Sequence, residues 1–417
     1  MIKSRPLITV ILSVILAGQL VCPLALPAVN SQIVEIYDLT EDTMLYGEGA
    51  FDVVSIASLT KIATTITAIE TIPDLDETVT VTRSILNTVR WDASVAGLRA
   101  GDRLTYRDLL YASMLPSGAD ATHTIAICSS GSLASFVDRM NELAQRIGLE
   151  NTHYVNVTGL DADGHYSTAD EVRKLLQYSL KNPVFREVFT TKEYEMSNGR
   201  TVYSTLYRYN ADAETLDKIL GSKSGHTGDA GYCLASLADI NGHEMLIIVI
   251  RAERYGDLFY NVIDSSVLIG FLESSYEDRL LLEKGVLVRK VPVYMSKTDS
   301  VEIYSDSDIF RYLPSDYDFR GLSIKYDGVD ELSYKNQPGD RIGTISYYYH
   351  DELLYTQEAF LNRKLAFSRE KFIEKYIVQI AELGIAALCA AGLVILLISI
   401  IIKNLIALIK KGRKKAS

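Results

Sequence analysis

Cysteine is scarce in this chain. Four in 417 residues cannot form a disulfide scaffold, and only Cys128 and Cys233 lie in its central body. They could pair in an oxidising compartment, but at this density two unpaired, buried thiols are the expectation. Positive charge is also short. Residues 29–382 carry 34 Lys or Arg against 53 Asp or Glu. A phosphate backbone would be repelled by such a body, so nucleic acid is excluded as a partner. The histidines at 123, 153, 165, 226, 243 and 350 show no metal-ligand spacing, so no metal is expected. There is no glycine-rich phosphate loop, internal repeat or low-complexity tract, and no cofactor is expected. A composition 48% hydrophobic and 23% charged excludes a disordered or collagen-like chain, and the length suits two or three domains.

Long apolar runs occur at both ends. Lys3 and Arg5 precede an apolar stretch from Leu7 to Leu20, broken only by Thr9, Ser13, Gly18 and Gln19. A short basic region before a run of this length predicts a signal peptide over residues 1–28, cleaved after Ala28, with an uncleaved anchor as the alternative. Gln19, Leu20 and Val21 before Cys22 do not make a lipoprotein site. Leu383 to Ile402 is a 20-residue uncharged stretch, enough to span ~30 Å of hydrocarbon. The basic tail 403–417 follows it. Positive charge stays on the cytoplasmic side, which places the acidic body outside a cell membrane crossed once.

The body divides in two. Gln32–Tyr37 and Thr43–Tyr46 read as strands. From Ser58 the pattern turns helical, with Ile62, Ile66 and Ile69 on one face. Further helices are expected at Arg107–Met114, Leu133–Ile147 and Thr168–Leu180. Strands return at Cys233–Asp239 and Glu244–Arg251 around Asn241-Gly242, a strong hairpin signal. A helix closes this part near Tyr276. One sheet carrying helices on its faces is the α+β reading for residues 29–276. Residues 282–365 read as a small all-β domain and 366–382 as a helical linker into the membrane segment 383–402.

Ser58-Leu59-Thr60-Lys61 places a hydroxyl and an amine three residues apart at a helix start, one turn apart on one face. Serine is a poor nucleophile until something takes its proton, and a lysine of lowered pKa can do so. The spacing alone is weak, since Ser368-Arg369-Glu370-Lys371 matches it too. Ser117-Gly118-Ala119 follows 59 residues after Ser58, and Lys223-Ser224-Gly225 another 106 residues on, before the hairpin. A cation and hydroxyls along a strand edge can hold a substrate carboxylate. Three such pieces in this order strengthen one another.

Together with Asn151–Asn156, Gly159-Leu160-Asp161 and Lys223–Thr227, these stretches resemble the low-molecular-mass penicillin-binding proteins, serine-type D-alanyl-D-alanine carboxypeptidases. The resemblance implies a β-lactamase/transpeptidase-like domain, followed by a small all-β domain and a C-terminal transmembrane helix. It implies that Ser58 attacks the carbonyl between two D-alanines of a peptidoglycan stem peptide, with Lys61 as base and Ser117 relaying a proton. Lys223, Ser224 and Thr227 would hold the terminal carboxylate. Backbone N–H groups of Ser58 and His226 would form the oxyanion hole, where each donor is typically worth ~3 kcal/mol. β-Lactam antibiotics would acylate the same serine.

One position departs from the family pattern. Ala119 stands where the motif ordinarily ends in Asn, so it cannot steady Lys61 or bond the acyl side of the substrate. The departure implies a working variant in which another polar group substitutes, a slow enzyme of altered choice, or an inactive relative that binds or scaffolds the wall. Elsewhere, Asn156 is expected to shape a turn. Tyr347-Tyr348-Tyr349 could stack on a sugar, or reflect alternating burial in a strand.

Overall fold

The computed structural model describes residues 26–208, 217–316 and 321–414; residues 1–25 of the expected signal segment lie outside them. Two compact units are present. The first runs to Asp278 and includes the segment that starts at Tyr312; the second holds the rest.

The first unit is built on a five-stranded sheet. Its strands are β1 (Ile33–Asp38), β2 (Thr43–Glu48), β3 (Ile219–Thr227), β4 (Gly231–Ile240) and β5 (His243–Ala252). They are antiparallel throughout, in the order β2-β1-β5-β4-β3. The β4–β5 turn has Asn241 and Gly242 at φ 56° and 88°, the conformation that made this dipeptide legible as a hairpin. Successive side chains alternate between two cores. Leu246, Ile248 and Ile250 face a large helical core, while Met245, Ile247 and Val249 pack with Val262, Leu268 and Leu272 on the other side. Both faces are covered, so β5 reads as an unbroken apolar run from Met245 to Ile250.

The longer helices described in this unit are α1 (Thr60–Thr71), α2 (Tyr106–Met114), α3 (Ala119–Ser130), α4 (Leu133–Arg146), α5 (Ala169–Ser179), α6 (Pro183–Thr190) and α7 (Tyr260–Ser275). Side-chain caps set several starts. Thr105 and Asp108 form a capping box on α2, and Ser132, Thr168 and Asn182 cap α4, α5 and α6. Helix α3 has no counterpart among the sequence expectations. Every residue from Ala119 to Ala126 is buried, so it carries no amphipathic stripe to read.

The thiols differ from expectation in part: both are free, and Cys233 is buried, but Cys128 is exposed. Burial pushes the Cys233 thiol up to about 12, which makes it inert.

In the second unit, strands Leu287–Tyr294, Ser300–Tyr304, Leu322–Gly328, Arg341–Tyr349 and Glu352–Phe360 enclose a core that includes Val291, Val301, Ile345 and Tyr347. The expected continuous run over 282–365 is interrupted at Tyr312, which groups with the first unit and stacks on His243 at 4.2 Å. Tyr347 and Tyr349 are buried, and Tyr347 donates to Gln357 Oε1 at 2.7 Å, so alternation in a strand accounts for the tyrosine run. A final helix, α8 (Arg369–Lys414), contains a stretch long and apolar enough to cross a membrane, with no part of it buried.

Candidate active site

Ser58 lies in a single 3-10 turn, Ala57–Leu59, that leads into α1. Ala57 adopts φ 47°, a left-handed conformation uncommon for a non-glycine residue. One turn on, Lys61 Nζ donates to Ser58 Oγ at 2.9 Å and to the Thr158 carbonyl at 2.8 Å. Ser58 Oγ itself lies 3.4 Å from that carbonyl. Lys61 is only 2% exposed. Burial lowers its pKa to about 7, against a smaller opposing pull from the Asp120 carboxylate. A neutral amine is therefore accessible beside the hydroxyl.

The second Ser-x-x-Lys pattern is chemically different. Ser368 Oγ accepts the Lys371 N–H at 3.3 Å, and the Lys371 ammonium is exposed and pairs with Asp299 at 2.7 Å. That serine caps a helix. The same spacing yields a base only where the lysine is desolvated.

The Thr158 carbonyl is the feature that sequence reading missed. Asn156 aims it, because Asn156 Oδ1 accepts from Thr158 N, Thr158 Oγ1 and Gly159 N at 3.0, 3.0 and 2.7 Å. Asn156 shapes the turn as expected. A backbone carbonyl leaves no residue-type signature, so nothing in the sequence points to it.

Ser117 occupies the loop between α2 and α3 at φ 64°. It is buried, and its Oγ finds no hydrogen-bond partner among the described residues. Left-handed backbone and an orphaned buried hydroxyl in one residue mark stored strain of the kind found at functional sites. Ala119 is also buried; its N–H donates to Ser94 O at 2.7 Å. The structure brings Lys61 to Thr158 O, so a polar contact steadies this lysine where Ala119 offers none.

Strand β3 carries the third group. Lys223 is fully buried and donates to Ser224 O at 2.7 Å. Ser224 Oγ lies 2.6 Å from Thr205 Oγ1, and the Thr205 N–H donates to Leu115 O at 3.0 Å. This chain ties β3 to the loop that holds Ser117. Gly225 lies against the nucleophile, since a Cβ there would sit 2.8 Å from Ser58 N. Thr227 Oγ1 donates to Asp161 at 2.7 Å, so it would have to leave that carboxylate to donate elsewhere. His226 is exposed and stacks on Tyr232 at 4.0 Å.

Two nearby histidines are buried and held neutral, each lowered to about 4 by burial. His165 Nδ1 accepts the Val155 N–H at 3.1 Å, so Nε2 donates to Thr60 Oγ1 at 2.8 Å. Among the described residues no His, Cys, Asp or Glu cluster could hold a metal.

A family model described as D-alanyl-D-alanine carboxypeptidase matches residues 23–254, and one described as penicillin-binding protein 5, C-terminal domain, matches 276–367. The D-alanyl-D-alanine carboxypeptidase DacF of Bacillus subtilis is 27% identical over 306 residues, covering 72% of this chain and 77% of its own. The D-alanyl-D-alanine carboxypeptidase of Streptomyces sp. K15 is 33% identical over 224 residues, covering 50% and 77%. Penicillin-binding protein 5 from Haemophilus influenzae shares the fold, with TM-score 0.60 and 22% identity over 82% of this chain and 99% of that one.

Proposed function

Because this chain belongs to the D-alanyl-D-alanine carboxypeptidase family, we propose that Ser58, Lys61 and Ser117 are its catalytic residues and that peptidoglycan stem peptides are its substrates. The enzyme is a serine-type D-Ala-D-Ala carboxypeptidase of the penicillin-binding type. One observation carries the assignment of residues: a buried lysine whose Nζ lies 2.9 Å from the Ser58 hydroxyl.

Neutral Lys61 takes the Ser58 proton as Oγ attacks the carbonyl of the penultimate D-alanine. The oxyanion that forms is met by the N–H groups of Ser58 and His226. Ser117 passes the proton to the departing amine, the C–N bond breaks, and free D-alanine leaves an ester on Ser58. Water, deprotonated by Lys61, then cleaves that ester and restores the hydroxyl. Lys223 and Ser224 hold the terminal carboxylate, with Thr227 joining once its hydroxyl turns from Asp161. A β-lactam presents the same carbonyl and forms a longer-lived ester.

In this reading the signal segment 1–28 exports a catalytic domain (29–276) and a small β domain (282–365). The linker 366–382 and helix 383–402 anchor them, and the basic tail 403–417 stays inside. The apolar stretch within α8 supports the anchor.

The test is intact mass after incubation with penicillin, beside a Ser58→Ala control, together with D-alanine release from a D-alanyl-D-alanine peptide. A penicilloyl adduct on the wild type alone and release of D-alanine are expected. No adduct on either protein would remove Ser58 from the nucleophile role.

A further inference from the structure

The loop from Tyr154 to His165 is closed at its neck by paired backbone bonds between His153 and Tyr166, at 2.9 and 3.0 Å. It carries the Thr158 carbonyl that meets Lys61 and Ser58. Three contacts join its backbone to helix α1. Two are direct, because α1 presents donors to loop carbonyls: Thr64 Oγ1 donates to Val157 O at 2.9 Å, and Lys61 Nζ to Thr158 O at 2.8 Å. The third runs the other way, since there the loop offers a donor of its own, the Val155 N–H.

His165 makes that third contact. Its backbone N–H donates to Ala162 O at 3.0 Å, and its ring is buried, 5.8 Å from that of Tyr154. Nδ1 accepts the Val155 N–H at 3.1 Å, so Nε2 carries the ring proton and meets Thr60 Oγ1 at 2.8 Å. A neutral imidazole holds one acceptor and one donor on a rigid ring, which lets it link a backbone N–H to a hydroxyl. The protonated ring would turn a second donor on the Val155 N–H. Burial keeps the ring neutral, lowering it to about 4; His153 adds to the effect and Asp161 opposes it.

Both ends of this bridge lie next to the reacting pair. Thr60 is fully buried and immediately precedes Lys61. Val155 immediately precedes Asn156, whose side chain aims Thr158 O. Gly159 of the same turn packs on the Thr60 hydroxyl, where a Cβ would sit 2.8 Å from Oγ1. The acyl-transfer steps assign no task to His165, and its ring bonds go to Val155 and Thr60.

Resting on the carboxypeptidase reading, we infer that His165 is a positioning residue for acylation. By bridging Val155 to Thr60 it holds the Thr158 carbonyl against the Lys61 amine and keeps that contact closed to water.

Penicillin acylation of the full-length, detergent-solubilised protein tests this, with initial binding and the acylation step measured separately. His165→Phe keeps an aromatic ring and loses both bonds. Its acylation rate constant should fall ~10²-fold, the cost of misplacing reacting groups by about 1 Å, while initial binding of penicillin changes little. Two half-replacements divide the bridge. His165→Asn supplies an amide oxygen where Nδ1 accepts, and His165→Gln supplies an amide N–H where Nε2 donates. Each should recover part of the rate. His165→Asn should recover the larger part, because Val155 lies on the loop that carries Thr158.

The pH profile separates positioning from general stability. Desolvation holds Lys61 low, against the pull of Asp120. A loop released from α1 admits water to Nζ, and the Lys61 value climbs back towards that of an ordinary amine. The acylation midpoint of His165→Phe should therefore move to higher pH, by ~1 unit or more. Val262→Ala, in the core on the other face of the sheet, lowers Tm without touching the loop and should keep the wild-type midpoint. Should His165→Phe fail to fold, the Asn and Gln variants carry the same two readouts. Wild-type rates in the His165 variants would overturn the assignment, and so would slowed variants whose midpoint stays with that of Val262→Ala. Failure of the carboxypeptidase reading looks different: no penicilloyl adduct on Ser58 of the wild-type protein itself.

Discussion

Gly159 and Ala57 fit together only without a side chain on the glycine. Gly159 sits at φ +85°, and a Cβ built on it would lie 1.8 Å from the Ala57 carbonyl oxygen. Ala57 in turn is held at φ 47°, immediately before the nucleophile. The turn that aims Thr158 O and the turn that presents Ser58 are thus closed against each other.

Gly159→Ala should therefore fail on two counts, backbone conformation and overlap. Left-handed backbone costs ~1–3 kcal/mol, and forced packing against main chain costs about as much again. A loss of about 3 kcal/mol, or roughly 6–12 °C in Tm, is expected. Penicillin acylation should fall with it even where the protein remains folded. Thermal unfolding and adduct mass on the same preparation check both; wild-type acylation in the variant would refute the coupling.

Lys61 sets the pH profile. Burial lowers it to about 7, so the neutral amine that can take the Ser58 proton gains population as pH rises through that value. The acylation rate constant should climb from acid pH and level off above neutrality, with its midpoint near the Lys61 value. Lys61→Arg keeps the positive charge at every working pH and should lose ~10²–10⁴ in rate. A flat profile between about pH 5.5 and 9 would remove Lys61 as the base.

Glu35 gives a stability signature of opposite origin. It is fully buried on β1, with Arg173 Nε at 3.1 Å and its Oε2 without a partner among the described residues. Desolvation outweighs the arginine and raises the carboxyl from 4.5 to about 7. Between those values the folded state holds a proton that the unfolded state has lost. The Glu35 contribution must then fall as pH rises through that window, by at most ~1.4 kcal/mol per pH unit. His123 and His165, kept neutral by burial, work the other way but are common to wild type and Glu35→Gln. The difference in unfolding free energy between the two proteins should decline from acid to neutral pH. A difference independent of pH would contradict a raised Glu35.

Much of this was legible from residue types. Asn241-Gly242 announced its hairpin, Ser58 and Lys61 their shared helical face, and the uncharged run before a basic tail its long helix. What was hidden has physical reasons. The first eight residues of helix α3 are buried on all sides, so that stretch carries no period. The Tyr312 segment groups with the first unit through long-range contacts that no local pattern encodes. Thr158 acts through a carbonyl that every residue possesses. Spacing could not separate Lys61 from Lys371; burial does, and burial belongs to the fold.

Ser117 should show activity and stability pulling apart. Its φ of 64° suits glycine, and its buried hydroxyl lacks a partner among the described residues. Ser117→Gly relieves both, since glycine adopts that backbone without strain and leaves no polar atom to desolvate. Against ~1–3 kcal/mol for each relief stands ~0.5–1 kcal/mol of added chain entropy in the unfolded state. A net gain of at least ~1 kcal/mol, or roughly 2–4 °C or more in Tm, is expected. D-Alanine release should meanwhile drop ~10²–10⁴-fold, because no hydroxyl remains to carry the proton to the leaving amine. Ser117→Ala separates the contributions: it should match the glycine variant in lost rate while recovering only the hydroxyl part of the stability. If Ser117→Gly melts below wild type, the strained serine is a structural necessity, and its relay role would have to rest on the rate data alone.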